Sequence, residues 1–322
     1  MHDGTEIVVV ADRKTPVREY ESLTSEFSNL HVLSIDRQHD LFPQLSAAIP
    51  FNHYARKNLG YAFAITRGFP AIFDTDDDNR TTTEWQQVEP GATRLRVRQR
   101  DTSSGLAFYN VYGLYTKTHL WPRGYPLECV RDSGNNCEVV EDDAPDGDVA
   151  LWQGLVDGDP DVDAIARLTS PAAACDVRFD PSPRRVVLES GVLCPLNSQN
   201  VWWVSPSVFA LMYLPATANF RVCDILRGYV AQQCLWQRGA RAGFTQPTAL
   251  QVRNVHDLLA DFASELPLYL HASRMNLILR ETSRHFTGTA EDLLLAYHAL
   301  AVKEFVQPRE VQILEAWLAL VG

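Results

Sequence analysis

The sequence predicts an α/β protein with a helical extension, on three observations. Two β-branched apolar runs, EIVVVAD (Glu6–Asp12) and LHVLSID (Leu30–Asp36), flank a polar, helix-compatible segment. That is a βαβ opening and predicts parallel strand pairing. A third apolar run, Ala71–Phe73, ends in a cluster of carboxylates. Beyond about Thr245 the pattern changes to helical apolar periodicity. The expected division is an α/β domain over 1–245 and a helical extension over 246–322.

Each element has its own local signal. NHYARKNLGYAFAITRG (Asn52–Gly68) spaces Tyr54, Leu59, Ala62, Phe63 and Ile65 as a helix does, with Gly68 placed to end it. From Thr93 to about Phe220 the chain is rich in loops and short apolar runs, and RRVVLESGVLC reads as a strand or hairpin arm. In the extension, VRNVHDLLADFASEL, AEDLLLAYHALAVKEF and REVQILEAWLALV read as helices. Thr289 is placed to cap the second, and Pro308 to open the third.

Composition narrows the function classes. A 322-residue chain with 46% hydrophobic and 21% charged residues is an ordinary globular protein. A net charge of -11 disfavours nucleic acid as a partner. A polyanionic ligand would need local Arg, Lys or a metal against this acidic background. No apolar run reaches the ~18–20 residues of a membrane helix, and the N-terminus lacks the plan of a signal peptide. The expectation is a cytoplasmic chain without a membrane span. The six cysteines form no CxxC pair, so reduced thiols are expected.

Chemistry concentrates in a few blocks. AIFDTDDDN (Ala71–Asn79) places Asp74, Asp76, Asp77 and Asp78 directly after a strand. Ligands of open α/β sheets bind beyond the carboxyl ends of strands. The polar ends of the first two runs, Asp12, Arg13 and Asp36, belong to the same edge. Paired carboxylates suit Mg²⁺ or Mn²⁺, which bridge them to substrate phosphates. An acidic turn explains the same residues without a ligand. Arg56, Lys57 and Asn58 stand at a helix start, where phosphates are attracted. A solvated charged turn is the plainer reading.

WPRGYPLE (Trp121–Glu128) is a rigid loop in which Arg123 and Glu128 pair or face a ligand. WQGLVDGDPDVDAIARL (Trp152–Leu168) alternates Asp157, Asp159, Asp161 and Asp163 ahead of a short helix, without the offsets of a calcium loop. PLNSQNVWW (Pro195–Trp203) sets Asn197, Gln199 and Asn200 beside two tryptophans, groups that hold sugar hydroxyls or form a buried network. RVCDILRGYVAQQCLW (Arg221–Trp236) starts a helix with Asp224 and Arg227, a surface pair, a cap, or a general base for an acceptor hydroxyl.

In order and wording these blocks resemble the STELLO-type family of glycosyltransferases. The resemblance rests on ARKNLGYAFAITRGFPAIFDTDDDN, LWPRGYPLE, QGLVDGDPDVDAI, PLNSQNVWW with LMYLP after it, and DILRGYVAQQCLW, from about Tyr54 to Trp236. QGLVDGDPDVDAI is also similar to a segment of the reversibly glycosylated polypeptides, which are UDP-arabinopyranose mutases. The plant members carry a membrane anchor and a less complete acidic motif.

The resemblance implies a GT-A-like mixed sheet flanked by helices and a nucleotide-diphosphate sugar donor, with UDP favoured. It implies Mn²⁺ or Mg²⁺ on Asp76 and Asp78, with His256 as a late extra ligand. Donor-binding residues would be Asp12, Arg13, Asp36, Arg56, Lys57, Asn58, Asp76, Asp77, Asn197, Gln199 and Asn200. Arg123, Glu128, Asp159, Asp161 and Arg227 would serve the acceptor or sugar, a glycan or other hydroxyl compound. Asp224 would be the base if the reaction inverts the anomeric centre, and would position the acceptor if it retains. A nucleotide-sugar mutase and a non-catalytic interaction protein are the alternatives, and a homo-oligomer is left open.

Overall fold

The computed structural model describes residues 4–82, 93–131, 136–142, 146–170, 176–182, 184–252 and 257–322. β1 (Ile7–Val10) and β2 (Leu30–Leu33) pair in parallel around α1 (Val17–Leu23), as the opening predicts. The second strand ends earlier than its apolar run. Ser34 accepts a hydrogen bond from the Arg37 amide and starts α2 (Ile35–Leu41). Serine is a strong N-cap, so the chain turns there and Asp36 falls in the helix's first turn. α3 (Pro43–Ala48), a 3-10 turn at Tyr54–Arg56 and α4 (Lys57–Thr66) come next. Gly60 lets α4 lie close on β1, because a Cβ there would stand 2.6 Å from Val10 Cγ2.

The main sheet is mixed. Its order is β3 (Ile72–Thr75), β11 (Asn200–Trp203), β8 (Val149–Gly158), β12 (Arg241–Gln251), β9 (Arg184–Leu188), β5 (Thr93–Gln99), β7 (Cys137–Glu141). β4 (Asn79–Thr81) pairs with the far end of β12. β8 and β12 run parallel at the centre and are buried along nearly their whole length. The RRVVLESGVLC segment is not a hairpin. It forms β9 and then β10 (Val192–Leu193), which leaves the main sheet to pair with β6 (Ala107–Phe108).

Helices α5 (Ala164–Thr169), α6 (Cys223–Gln237), α7 (Leu258–Thr282), α8 (Glu291–Val302) and α9 (Glu310–Val321) complete the described elements. The expected division at residue 245 lies inside β12. Leu268, Leu293 and Trp317 of the helical extension join the same hydrophobic cluster as Leu151, Val201 and Tyr229. Glu310, fully buried, ties α9 to the body: it accepts from the Tyr213 hydroxyl at 2.5 Å and from the Ala216 and Thr217 amides at 2.8 and 2.7 Å.

Thr289 does not cap α8. Its hydroxyl lies 3.0 Å from that of Thr287, and Asp292 instead reaches back to the Thr287 and Gly288 amides. Among the described residues Cys137, Cys194, Cys223 and Cys234 are free thiols. Among the described residues no helix is long and apolar enough to cross a membrane.

Candidate functional site

The carboxyl ends of β3, β8 and β12 meet the amino end of β11 at one edge of the main sheet, beside the start of α6. Asp74 is still within β3 and is 2% exposed. Lys57 Nζ of α4 lies 2.6 Å from its Oδ1, and Arg227 of α6 donates to its Oδ2 at 3.2 Å. Burial pushes this carboxyl up, but Lys57 and Arg227 outweigh it and hold Asp74 below the ordinary carboxylate range. Burial likewise pushes Lys57 down, and Asp74 more than restores it. Arg227 also donates to the Asn197 carbonyl at 2.8 Å. One carboxylate therefore fastens β3, α4, α6 and the 195–199 loop together.

The acidic pair stands on this base. Asp76 accepts from the Tyr54 hydroxyl and from Lys57 Nζ at 3.2 Å, both on its Oδ1. Burial pushes Asp76 up to about 6 despite these partners. Asp78 receives Gln251 Nε2 at 3.0 and 2.9 Å, and Gln251 Oε1 receives Gln199 Nε2 at 2.7 Å. The end of β12 and the 195–199 loop thus steady Asp78. Asp77 between them is exposed. Among the described residues, Asn79 Oδ1, Ser198 Oγ and Asn200 Oδ1 are buried without a hydrogen-bond partner.

A second carboxylate–guanidinium group lies beside it. Arg123 holds both Asp161 oxygens at 2.8 Å and both Asp224 oxygens at 3.1 and 2.8 Å. Arg167 donates to Asp159 at 3.0 Å. Asp163, fully buried, caps α5 through the Ala166 amide and accepts from Trp121 Nε1 at 2.5 Å. Burial pushes it up to about 6, and the nearby Glu265 and Asp161 push the same way.

This folded value lies above the ~3.9 of an unperturbed aspartate, so the folded form takes up its proton first as pH falls. Between pH 7 and 5 the native chain should therefore gain roughly 1 kcal/mol relative to Asp163→Asn. Thermal melts of both proteins over that range check this, and parallel pH profiles contradict it.

The remaining candidate residues fall elsewhere. Asp12 accepts from the Arg13 and Asn52 amides at 2.7 Å each, beyond β1. Arg13 and Arg56 both lie over the Phe51 ring, at 4.0 and 4.6 Å. Arg56 is 3% exposed and points at Gln38 and the Ile49 carbonyl, away from the Asp76–Asp78 pair. Asp36 and Phe51 line a separate cavity of about 440 Å³. Asn58 is spent on both backbone groups of Leu214 at 2.8 Å. Asn197 is paired with Gln153, and Asn200 donates to Thr248 and the Leu155 carbonyl. Glu128 accepts from Ser273 of α7 at 2.5 Å. His256 lies outside the described residues.

No known family model matches the sequence. Two curated proteins of Arabidopsis thaliana do. "Probable glycosyltransferase STELLO1" is 28% identical over 328 residues, covering 98% of this chain and 41% of that protein. "Probable glycosyltransferase STELLO2" is 29% identical over 313 residues, covering 92% of this chain and 40% of that protein. This chain is similar to the STELLO proteins over nearly all of its length. It spans about two-fifths of the length of the curated relatives it matches.

In this chain, sequence reasoning passes over Tyr54, Gln153 and Gln251 as site residues. Tyr54 reads as part of an apolar helix face, although it stands one turn before Lys57, where its hydroxyl reaches the same carboxylate. Gln251 ends a strand that carries other polar residues, RAGFTQPTALQ, so no local signal singles it out. Gln153 carries none, since its role depends on the loop folded against it.

Among the described residues no three His, Cys, Asp or Glu side chains converge as a metal site. Asp76 and Asp78 offer two hard oxygen donors, and this fits a cation that takes its other ligands from substrate phosphates and water. Their neighbours fit too. Burial raises Asp76 in spite of Lys57 and Tyr54, and among the described residues Asp78 is held by the neutral Gln251 amide.

Proposed function

We propose that the chain is a metal-dependent glycosyltransferase of GT-A type. It would move a sugar from a nucleotide-diphosphate sugar, UDP-sugar favoured, to a hydroxyl of a glycan or other acceptor. The observation that carries the proposal is the Asp76–Asp78 pair at the carboxyl edge of the sheet, braced by Tyr54, Lys57 and Gln251. It occurs in a chain whose relatives, aligned over nearly all of its length, are named probable glycosyltransferases.

In this reading the bond from the anomeric carbon to the diphosphate oxygen breaks, and the nucleoside diphosphate leaves with the electron pair. The acceptor oxygen forms the new bond and gives its proton to the departing diphosphate. Mn²⁺ or Mg²⁺ held by Asp76 and Asp78 would supply neutralising charge for the departing diphosphate. Lys57 adds a fixed positive charge beside Asp76, and Asp74 keeps it in place. Asp12, Arg13 and Phe51, beyond β1, would face the nucleoside.

Arg123 holds both oxygens of Asp224, which is 4% exposed. This favours a positioning role for Asp224 over that of a general base. Asp159 and Asp161 would face the acceptor side.

Asp78→Ala should remove metal-dependent binding of the donor, weakening it at least about tenfold, one ligand's share of such a site. Calorimetric titration with and without Mn²⁺ measures this, and unchanged donor affinity in the variant would overturn the assignment.

A further inference from the structure

We propose that Gln251, at the end of β12, is the positioning residue that selects the cation at Asp76 and Asp78, favouring Mg²⁺ and Mn²⁺ over Ca²⁺. The inference rests on the reading of that pair as cation ligands. Gln251 Nε2 lies 3.0 and 2.9 Å from the two oxygens of Asp78, so one amide nitrogen serves both. Its orientation is fixed from each end. An ionised carboxylate only accepts hydrogen bonds, so the amide turned about would set oxygen against oxygen. On the far side, Gln251 Oε1 accepts from Gln199 Nε2 at 2.7 Å. Gln199 is buried, and both of its backbone groups are pinned. Its amide donates to Asn197 Oδ1 at 3.0 Å, and its carbonyl accepts from Thr75 Oγ1 at 3.1 Å. Gln251 itself is paired with Asn79 of β4 on one side and Gly158 of β8 on the other, so its backbone is flanked by strands.

Both carboxylates thus offer a cation one oxygen rather than two. A cation that takes a single oxygen of Asp78 leaves the other on the Gln251 amide, and the hydrogen bond survives. A cation that takes both strips the amide of its acceptor in a half-buried place, where an unmet donor is costly. Asp76 repeats the pattern. Tyr54 and Lys57 both donate to its Oδ1, which leaves Oδ2 for a metal. Ca²⁺ gathers about six to eight oxygens in a loose shell and often grips a carboxylate by both of them. Mg²⁺ demands a near-ideal octahedron, and the two oxygens of one carboxylate stand too close together to fill two of its corners. Octahedral oxygen sites suit Mn²⁺ as well. Two carboxylates limited to one oxygen each therefore disfavour Ca²⁺. Groups that orient a metal's ligands change its affinity about ten- to a hundredfold, which is the size of effect assigned to Gln251.

Electron paramagnetic titration of the full chain with Mn²⁺, alone and with UDP, measures bound metal, and Mg²⁺ and Ca²⁺ serve as competitors. In the wild type, Mg²⁺ should displace Mn²⁺ at lower concentration than Ca²⁺ does. Gln251→Leu keeps the bulk and removes the donor, and should shift the ratio of the two competing concentrations toward Ca²⁺ by at least about tenfold. Gln199→Leu frees the Gln251 amide to turn and should shift the ratio the same way by less. Circular dichroism melts establish that the variants fold, and Gln199→Leu decides the question if Gln251→Leu does not. Ca²⁺ competing as well as Mg²⁺ in the wild type would overturn the proposal. So would a ratio unchanged in the folded variants, whether affinity for both ions falls together or stays, and the cation reading would stand. Failure of the wild type to bind Mn²⁺ in either condition would overturn both.

Discussion

Asp74→Ala should destabilise the protein by about 3–5 kcal/mol, the usual cost of removing one partner from a buried ion pair. Asp74 is nearly inaccessible and faces two cations, Lys57 at 2.6 Å and Arg227 at 3.2 Å. Deleting it leaves Arg227, itself 2% exposed, without its carboxylate, and leaves Lys57 with Asp76 alone. Asp74→Asn should cost nearly as much, because it keeps the shape and removes the charge. Adding Arg227→Met to Asp74→Asn should return part of the loss, since the two sites are in contact and their effects cannot add. Urea denaturation of the four proteins measures this. A loss below about 1 kcal/mol in Asp74→Ala would mean the pair is screened like a surface one.

The stability from Asp74 has a pH window set by its lowered value. It is fully present above the ordinary aspartate range and is lost as pH falls through the lower folded-state value. The acid limb of wild-type unfolding should therefore be shallower in Asp74→Asn.

Glu310→Ala should be of similar size, about 3–5 kcal/mol. The side chain accepts from the Tyr213 hydroxyl and from the amides of Ala216 and Thr217, in a place with no access to water. Each buried amide left without an acceptor costs about 1–3 kcal/mol. Glu310→Gln keeps one acceptor oxygen and should lose about half as much. The effect reports on architecture as well as on one residue. The 213–217 segment continues to the Asn219–Arg221 turn that leads into α6, so α9 supports the helix carrying Asp224 and Arg227. A loss under about 1 kcal/mol would show that α9 docks loosely and that the extension is an appendage.

Some of this is legible in the sequence, and the rest is hidden for physical reasons. Strand runs such as EIVVVAD and the helical periodicity of the extension are readable because burial on a face imposes a period. The end of β2 is not, because Ser34 serves equally as a strand residue or as a cap, and the neighbouring helix decides between them. The βαβ opening is parallel as expected, yet nothing local shows that β1 and β2 form their own small sheet. The residue-245 division rests on a change in composition. β12 crosses it because its polar residues and Pro247 hide a strand that only the fold buries at the centre of the sheet.

At the candidate site the acidic block, Lys57, Asp161, Asp224 and Arg227 can be singled out by charge and position. Their pairing cannot. Lys57 and Arg227 lie 17 and 153 residues from Asp74, and only the fold brings them to it. Arg56 next to Lys57 looks equivalent in sequence, but the turn at Tyr54–Arg56 sends the two side chains opposite ways.

Binding of UDP-, GDP-, CMP- and dTDP-sugars, each with and without Mn²⁺, tests the central claim most directly. Calorimetry or thermal shift serves as the readout. The expected result is that one nucleotide class binds only with the metal and, at about 100 times its dissociation constant, stabilises the protein by about 2.7 kcal/mol. Failure of every donor to bind, with metal or without it, would contradict the account and leave the acidic block as a turn.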